Sequence, residues 1–276
     1  MKILIKCETM AYLSGSPLYN YELAMELSKE HDVYIYSNWN HPTMWDRDNC
    51  QIMFTNLAMA GINIIDNLND VYDLAIISQM KDDRVKAKRI INVVHSEYDC
   101  ETPYYTADEW VAIRPSIKEH LEKYHNIPSN KIRVIYNGID LERFKPTDVI
   151  DKKCRVVIPC TLDPLREKFL NWYIDRASDD FNVELYGFDC GAKLHTSPFV
   201  TIHKPIFNIE KVMSGADLVA GILLGRVNLE ARAMKILSRI HNPDNPDEYE
   251  EYYPPQREFE PLHDIKIIAK QIIKKI

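Results

Sequence analysis

Gly225-Arg226-Val227-Asn228-Leu229-Glu230-Ala231 decides how this chain is read, together with the apolar run 216–224 ahead of it. Leu218, Val219, Ala220, Ile222, Leu223 and Leu224 read as a buried strand, Gly225 as a turn and Arg226 as the opening of a helix. A strand that stops at a glycine and feeds a helix leaves the amide N–H groups of the first turn pointing outward, where the helix dipole favours an anion. Arg226 would add a forked cation suited to phosphate oxygens. Glu230 lies one turn on, on the same side of the helix, where a carboxylate can accept hydrogen bonds from paired sugar hydroxyls. The competing reading is a surface helix start with an Arg226–Glu230 pair at i,i+4. The stretch alone leaves both open.

Working outward, strands alternate with helices. In the first half, strands are expected at 2–7, 33–36, 51–54, 74–77, 90–94, 109–113 and 132–135, with helices at 18–29 and 115–124. The second half repeats the pattern: strands at 155–158, 182–186, 200–203 and 218–224, and helices at 168–177 and 209–215. Residues 241–261, rich in Pro, Asp, Glu and Tyr, read as irregular surface chain. Ile265, Ile268, Ala269, Ile272 and Ile276 then mark an amphipathic closing helix. Such alternation predicts parallel sheets covered on both faces. With a linker at 144–153, it predicts two α/β halves facing across a cleft. Ligands bind beyond the carboxyl ends of the strands in such sheets. Ser14-Gly15-Ser16, His95-Ser96-Glu97, the loop 163–168 and Gly225-Arg226 with Glu230 would then form one site.

Composition narrows the class. The chain has 276 residues, is 46% hydrophobic and carries a net charge of −7, most of it in the first 150 residues. That is no basic nucleic-acid module. Lys81–Arg89 and the Lys-rich tail leave room for a local basic patch, but each reads more readily as a solvated helix face. No apolar run of spanning length occurs, so no transmembrane segment is expected. The charged start Met1-Lys2-Ile3-Leu4-Ile5-Lys6 reads as a first strand and not a signal peptide. Six scattered cysteines without a C-x-x-C argue against a zinc site or a disulfide framework, and for the cytoplasm, that of a host if the source is viral.

The stretch Lys131-Ile132-Arg133-Val134-Ile135-Tyr136-Asn137-Gly138-Ile139-Asp140-Leu141-Glu142-Arg143-Phe144-Lys145-Pro146 resembles the hinge signature of family 4 glycosyltransferases, "vIpNGvDxxxFxP". Ala107-Asp108-Glu109-Trp110-Val111-Ala112-Ile113-Arg114-Pro115-Ser116-Ile117-Lys118 resembles that family's "AD-x-v-i-a-v-S-x-x-x-k" segment, and Gly225–Ala231 a "GRVxLEA" variant of its donor-binding helix. The resemblance implies the GT-B fold: a Rossmann-like acceptor-side domain at 1–145, a Rossmann-like nucleotide-sugar domain at 146–262, and a closing helix at 263–276 packed back on the first domain.

It also implies an activity: a hexosyl- or pentosyltransferase moving a sugar from a nucleoside diphosphate, such as a UDP-sugar, to an acceptor hydroxyl with retention of configuration. Glu230 would hold the ribose, and Gly225 and Arg226 the phosphates. Lys168, in Arg166-Glu167-Lys168, would contact the pyrophosphate, with Arg166 assisting. His95 would sit near the transferred sugar, and Gly15 and Gly187 would line the donor site. These cations could take the place of a divalent metal, so no metal and no other cofactor is expected. The acceptor would be a glycan, a small molecule or a hydroxymethylated base in DNA, read by the first half, where Tyr12, Trp39, Tyr104 and Tyr105 could stack on a ring or simply pack. The family's first glutamate falls at Ile222, the usual arginine after the second domain's first strand at Thr161, and the usual double glycine at Ser14-Gly15. These departures keep open a nucleotide-sugar-binding protein that has lost catalysis. A two-domain oxidoreductase is disfavoured, because no G-x-G-x-x-G follows the first strand.

Overall fold

The computed structural model describes residues 1–10, 13–38, 47–78, 84–97, 103–146, 154–222, 225–252 and 262–274. The chain forms two compact units, Met1–Gly138 with Pro261–Ile276, and Ile139–Glu260.

In the first unit β1 (Lys2–Thr9), α1 (Gly15–Leu27), β2 (Asp32–Asn38), α2 (Arg47–Met59) and β3 (Asn63–Ile65) succeed one another. After β4 (Val71–Tyr72) come β5 (Leu74–Ser78), β6 (Lys86–Ala87), β7 (Ile90–Val94), β8 (Glu109–Ala112), α3 (Pro115–His125) and β9 (Ile132–Val134). Seven strands form one sheet in the order β3-β2-β1-β5-β7-β8-β9, every pairing parallel. The central strands are apolar on both faces, as a sheet covered on both sides requires: Ile3, Leu4, Ile5, Ala75, Ile76, Ile77 and Val93 are wholly buried. The order reverses direction between β1 and β5.

Residues 51–54, expected as a strand, lie inside helix α2. Cys50, Met53 and Leu57 are buried while Ile52 and Phe54 are exposed. The buried positions recur at helical spacing, and that face outweighs the strand-like run Ile52-Met53-Phe54.

The second unit runs β10 (Cys154–Pro159), α4 (Glu167–Ile174), β11 (Phe181–Tyr186), β12 (Val200–His203), α5 (Ile209–Met213), β13 (Leu218–Gly221), α6 (Arg226–Ala233), β14 (Leu237–His241) and β15 (Tyr249–Tyr252). Its sheet order is β12-β11-β10-β13-β14-β15. All pairings are parallel except β14 with β15. Two Rossmann-like units of this kind make the GT-B fold class. Ile139 packs on Leu229 and Phe144 is buried against Val157, Val219 and Met234, so the second unit takes up the chain within the hinge-like stretch.

β15 corrects the expectation of irregular chain after His241. Its Tyr-Glu-Glu-Tyr pattern hides it from hydropathy, because an edge strand leaves half its side chains in water. Pairing across the ladder holds it: Arg239 meets Glu251 at 2.6 Å and lies over the Tyr249 ring.

The closing helix α7 (Ile265–Ile273) belongs to the first unit. It buries Ile265, Ile268, Ala269 and Ile272 along one stripe. Gly138 makes room for it: a Cβ there would lie 2.7 Å from Ile265 Cδ1 and 3.0 Å from Ile265 Cα. At the other end, the last carbonyls, which have no partner inside the helix, accept from two arginines. Arg133 donates to Gln271 O and Ile272 O, and Arg89 to Ile273 O and Lys274 O. Both arginines also pair with Glu109. Two cations at a helix C-terminus suit its dipole, and the shared carboxylate keeps them from repelling each other.

Candidate functional site

In the second unit the strand order turns between β10 and β13, and helices α4 and α6 begin just beyond the carboxyl ends of these two strands. In an open α/β sheet this is where a ligand sits. The structure thus brings Arg166, Lys168, Gly225 and Arg226 to one end of one sheet. Arg166 is the residue before α4. Its N–H donates to Asp163 Oδ1 at 3.1 Å, and its guanidinium forms an ion pair with the same carboxylate. Its charge is therefore already balanced. Lys168, one position into the helix, is exposed and makes no ion pair among the described residues.

Gly225 precedes α6 in an extended conformation, φ −112°. Its N–H donates to Asn228 Oδ1 at 3.3 Å, and Asn228 Nδ2 donates to Ser238 Oγ at 2.6 Å. Asn228 thus ties the start of α6 to β14. The sequence reading passed over this residue, although a side chain three positions past a helix start that reaches back to the N-cap is half of a capping box.

The pair Arg226–Glu230 forms, with Nε donating to Oε1 at 2.6 Å, but it is no surface feature: the two side chains are 3% and 2% exposed. Ile222, at the position of the family's first glutamate, is buried in an apolar cluster with Val156, Phe169 and Leu218.

Gly187, at the end of β11, is fixed by packing. A Cβ there would lie 1.7 Å from the Cys160 carbonyl oxygen, and its N–H donates to His203 O at 3.0 Å. Only glycine lets these two strand ends run so close together.

In the first unit the corresponding end of the sheet carries Gly15 and His95. Gly15 is the first residue of α1. The opening turn of that helix is anchored to β5, since Asn20 Nδ2 donates to Ser16 O at 3.0 Å and Ser78 Oγ to Asn20 Oδ1 at 3.1 Å. His95 follows β7, half-buried, with the Tyr19 ring edge-on at 5.0 Å. Arg114, just ahead of α3, donates to Glu97 Oε1 at 3.0 Å. Burial, helped by the Arg114 charge, pushes the His95 imidazole down to about 4.

His95 is therefore neutral through the physiological range. In an NMR titration its ring protons are expected to shift near pH 4 and not near 6.5. The sign for stability follows from linkage: the unfolded chain binds this proton first. The contribution of the neutral ring is complete above about pH 6.5 and drains away as the pH falls toward 4. His95→Gln should flatten that part of the stability curve. A His95 signal titrating at 6.5 would refute the assignment.

Leu223, Leu224, Tyr12, Trp39, residues 81–83 and residues 99–102 lie outside the described residues. Tyr104 is buried, its N–H bonded to Asn92 Oδ1, so it packs. The chain's one Asp-x-Asp is Asp46-Arg47-Asp48, of which Asp46 is outside the described residues.

Residues 84–143 match the family Glycosyltransferase Family 4, a segment that contains β7, His95, α3 and most of the hinge-like stretch. No curated protein matches the chain in sequence. In fold it is similar to a glycosyltransferase from Rickettsia africae, at 16% identity, TM-score 0.62, covering 86% of this chain and 78% of that one. It is also similar to Anabaena Alr3699/HepE in complex with UDP-glucose, at 14% identity, TM-score 0.63, covering 86% and 79%. A third is sucrose-phosphate synthase from Thermosynechococcus elongatus, at 12%, TM-score 0.56, covering 86% and 80%. At these identities the likeness is one of fold.

Proposed function

We propose that the chain is a glycosyltransferase that moves a sugar from a nucleoside diphosphate to an acceptor hydroxyl with retention of configuration; its family 4 segment and its GT-B fold support this reading. The observation that carries the donor site is the pair of helix starts, α4 and α6, at the turn of the second sheet, with Lys168 exposed between solvent and the sheet end. The hard step is departure of the diphosphate, which gathers negative charge. Preorganised cations and N–H groups are the usual answer to such charge. Lys168 would meet the diphosphate directly, the amides at Gly225 and Arg226 would meet the phosphates from α6, and Arg166 would assist after parting from Asp163. Glu230 would accept from the ribose hydroxyls, and neutral His95 in the first unit would hydrogen-bond the sugar. In this scheme no metal or other cofactor takes part. Gly15 would contribute its helix-start amide, and Gly187 would shape the wall.

A uracil nucleotide is the first donor to try, because a structurally similar protein holds UDP-glucose. The acceptor would be a glycan, a small molecule or a hydroxymethylated DNA base. The acidic first half weighs against DNA, where phosphate contacts dominate affinity. No described helix is long and apolar enough to cross a membrane. The scattered cysteines without a C-x-x-C support a place in the cytoplasm.

A thermal-shift screen tests the donor. UDP at about a hundred times its dissociation constant should add about 2.7 kcal/mol of stability, seen as a rise in Tm. No shift with any nucleoside diphosphate or its sugar conjugates, in folded protein, would overturn the proposal. Ile222 favours one second reading, a donor-binding protein without turnover. Release of free sugar from a bound donor separates the two.

A further inference from the structure

We propose that His120 and His125 hold a divalent transition-metal ion at the carboxyl-terminal end of α3, apart from the transfer site. The two Nε2 atoms face each other at 3.2 Å, with ring centroids 5.1 Å apart and planes inclined by 58°. Two metal–imidazole bonds of about 2.0–2.1 Å meeting near the tetrahedral angle hold their nitrogens about 3.3 Å apart. The separation of the two nitrogens already matches that of a chelate.

The surroundings fit the same reading. His125 Nδ1 lies 2.8 Å from the Tyr105 hydroxyl. With Nδ1–H donating to that oxygen, Nε2 keeps its lone pair for a metal; an outer partner that fixes the tautomer in this way is the usual support of a ligating histidine. On the His120 side, the hydrogen that lies between the rings must move to His120 Nδ1 when an ion enters. The described residues thus offer an ion two neutral imidazoles, since no group of three His, Cys, Asp or Glu able to hold a metal occurs among them.

Helix geometry explains how residues five apart meet. α3 ends at His125, and Asn126 follows in the left-handed conformation, φ 54°. The last turn is thereby closed by the Asn126 N–H donating to Leu121 O, with His125 at the margin and its ring beside that of His120. Both rings are half-buried, open to an ion from solvent. The site is about one helix length, about 16 Å, from Arg114 at the other end of α3. An ion here would brace the segment carrying Tyr105, which leads into β8, against α3. It would act on stability and not on the transfer chemistry. Imidazole ligands suit zinc, nickel and copper.

The test uses the untagged full chain, stripped with EDTA and dialysed. Calorimetric titration with zinc chloride, and separately nickel chloride, is expected to show one ion per chain and a rise in Tm. His120→Ala and His125→Ala should each weaken binding more than about tenfold, and Tyr105→Phe by about tenfold. His120→Gln serves as a second variant should an alanine fail to fold, as judged by Tm in EDTA. Absence of binding, or binding unchanged in the histidine variants, overturns the proposal. UDP binding is expected to be the same with and without zinc, so the outcome here is independent of the donor-site reading.

Discussion

Replacing Lys168 with alanine is expected to lower turnover about a hundredfold to a thousandfold while leaving Tm within about 1 °C of the parent. The size follows from the role: a preorganised charge aimed at a leaving group contributes about 3–4 kcal/mol to the barrier. The neutrality for folding follows from position. Lys168 is exposed and makes no ion pair among the described residues, and substitutions at such sites stay within about 0.5 kcal/mol. Arg166→Ala makes the contrast. That guanidinium is already paired with Asp163, so its removal should cost activity less and should disturb the start of α4 more. Lys168→Arg should restore part of the rate, because the charge returns with a different geometry. Parent-level turnover in Lys168→Ala, measured with a donor shown to bind, would remove this lysine from the mechanism and move attention to the helix-start amides.

What the sequence disclosed, and what it hid, divides along the range of the forces involved. The strand ahead of Gly225 and the helix after it were legible because the punctuation is local: an apolar run, a glycine, then helix formers. The parallel pairing of both sheets, β15 apart, followed from the same alternation. Helix α2 was misread because Ile52 and Phe54 are strand-favouring types, and the burial of Cys50, Met53 and Leu57 that decides the matter comes from the rest of the unit. Strand β15 was missed because its stabilisation is an ion pair to Arg239 and not an apolar face. Gly187 and Gly138 illustrate the same limit. Each is required by a backbone or side chain far along the chain, Cys160 in one case and Ile265 in the other, and no local pattern announces such a neighbour. In the candidate site the residue types were readable but their states were not. That Lys168 is open, Arg166 paired, and Arg226 with Glu230 buried depends on how the helices lie on the sheet.

Glu230→Ala is expected to destabilise the second unit by about 3–5 kcal/mol, besides abolishing donor binding. The cause is the partner left behind. Arg226 is buried and its Nε donates to Glu230 Oε1 at 2.6 Å; removing the carboxylate takes this counter-charge from a cation held out of water, and breaking a buried pair from one side costs that much. Loss of activity in this variant would therefore say nothing about ribose. Glu230→Gln separates the two roles. Glutamine has the same shape and still offers an acceptor oxygen to Arg226, so part of the stability should return, read as a denaturation midpoint between that of Glu230→Ala and the parent. A ribose held by the carboxylate loses a charge-assisted hydrogen bond, worth about 1.5–3 kcal/mol, and UDP affinity should drop by a factor of ten to a hundred. If Glu230→Gln folds and binds UDP as tightly as the parent, Glu230 is the counter-ion of Arg226 alone. The donor would then be gripped by the amides of α6 and by Lys168, and the glutamate's position in the motif would reflect the burial of Arg226.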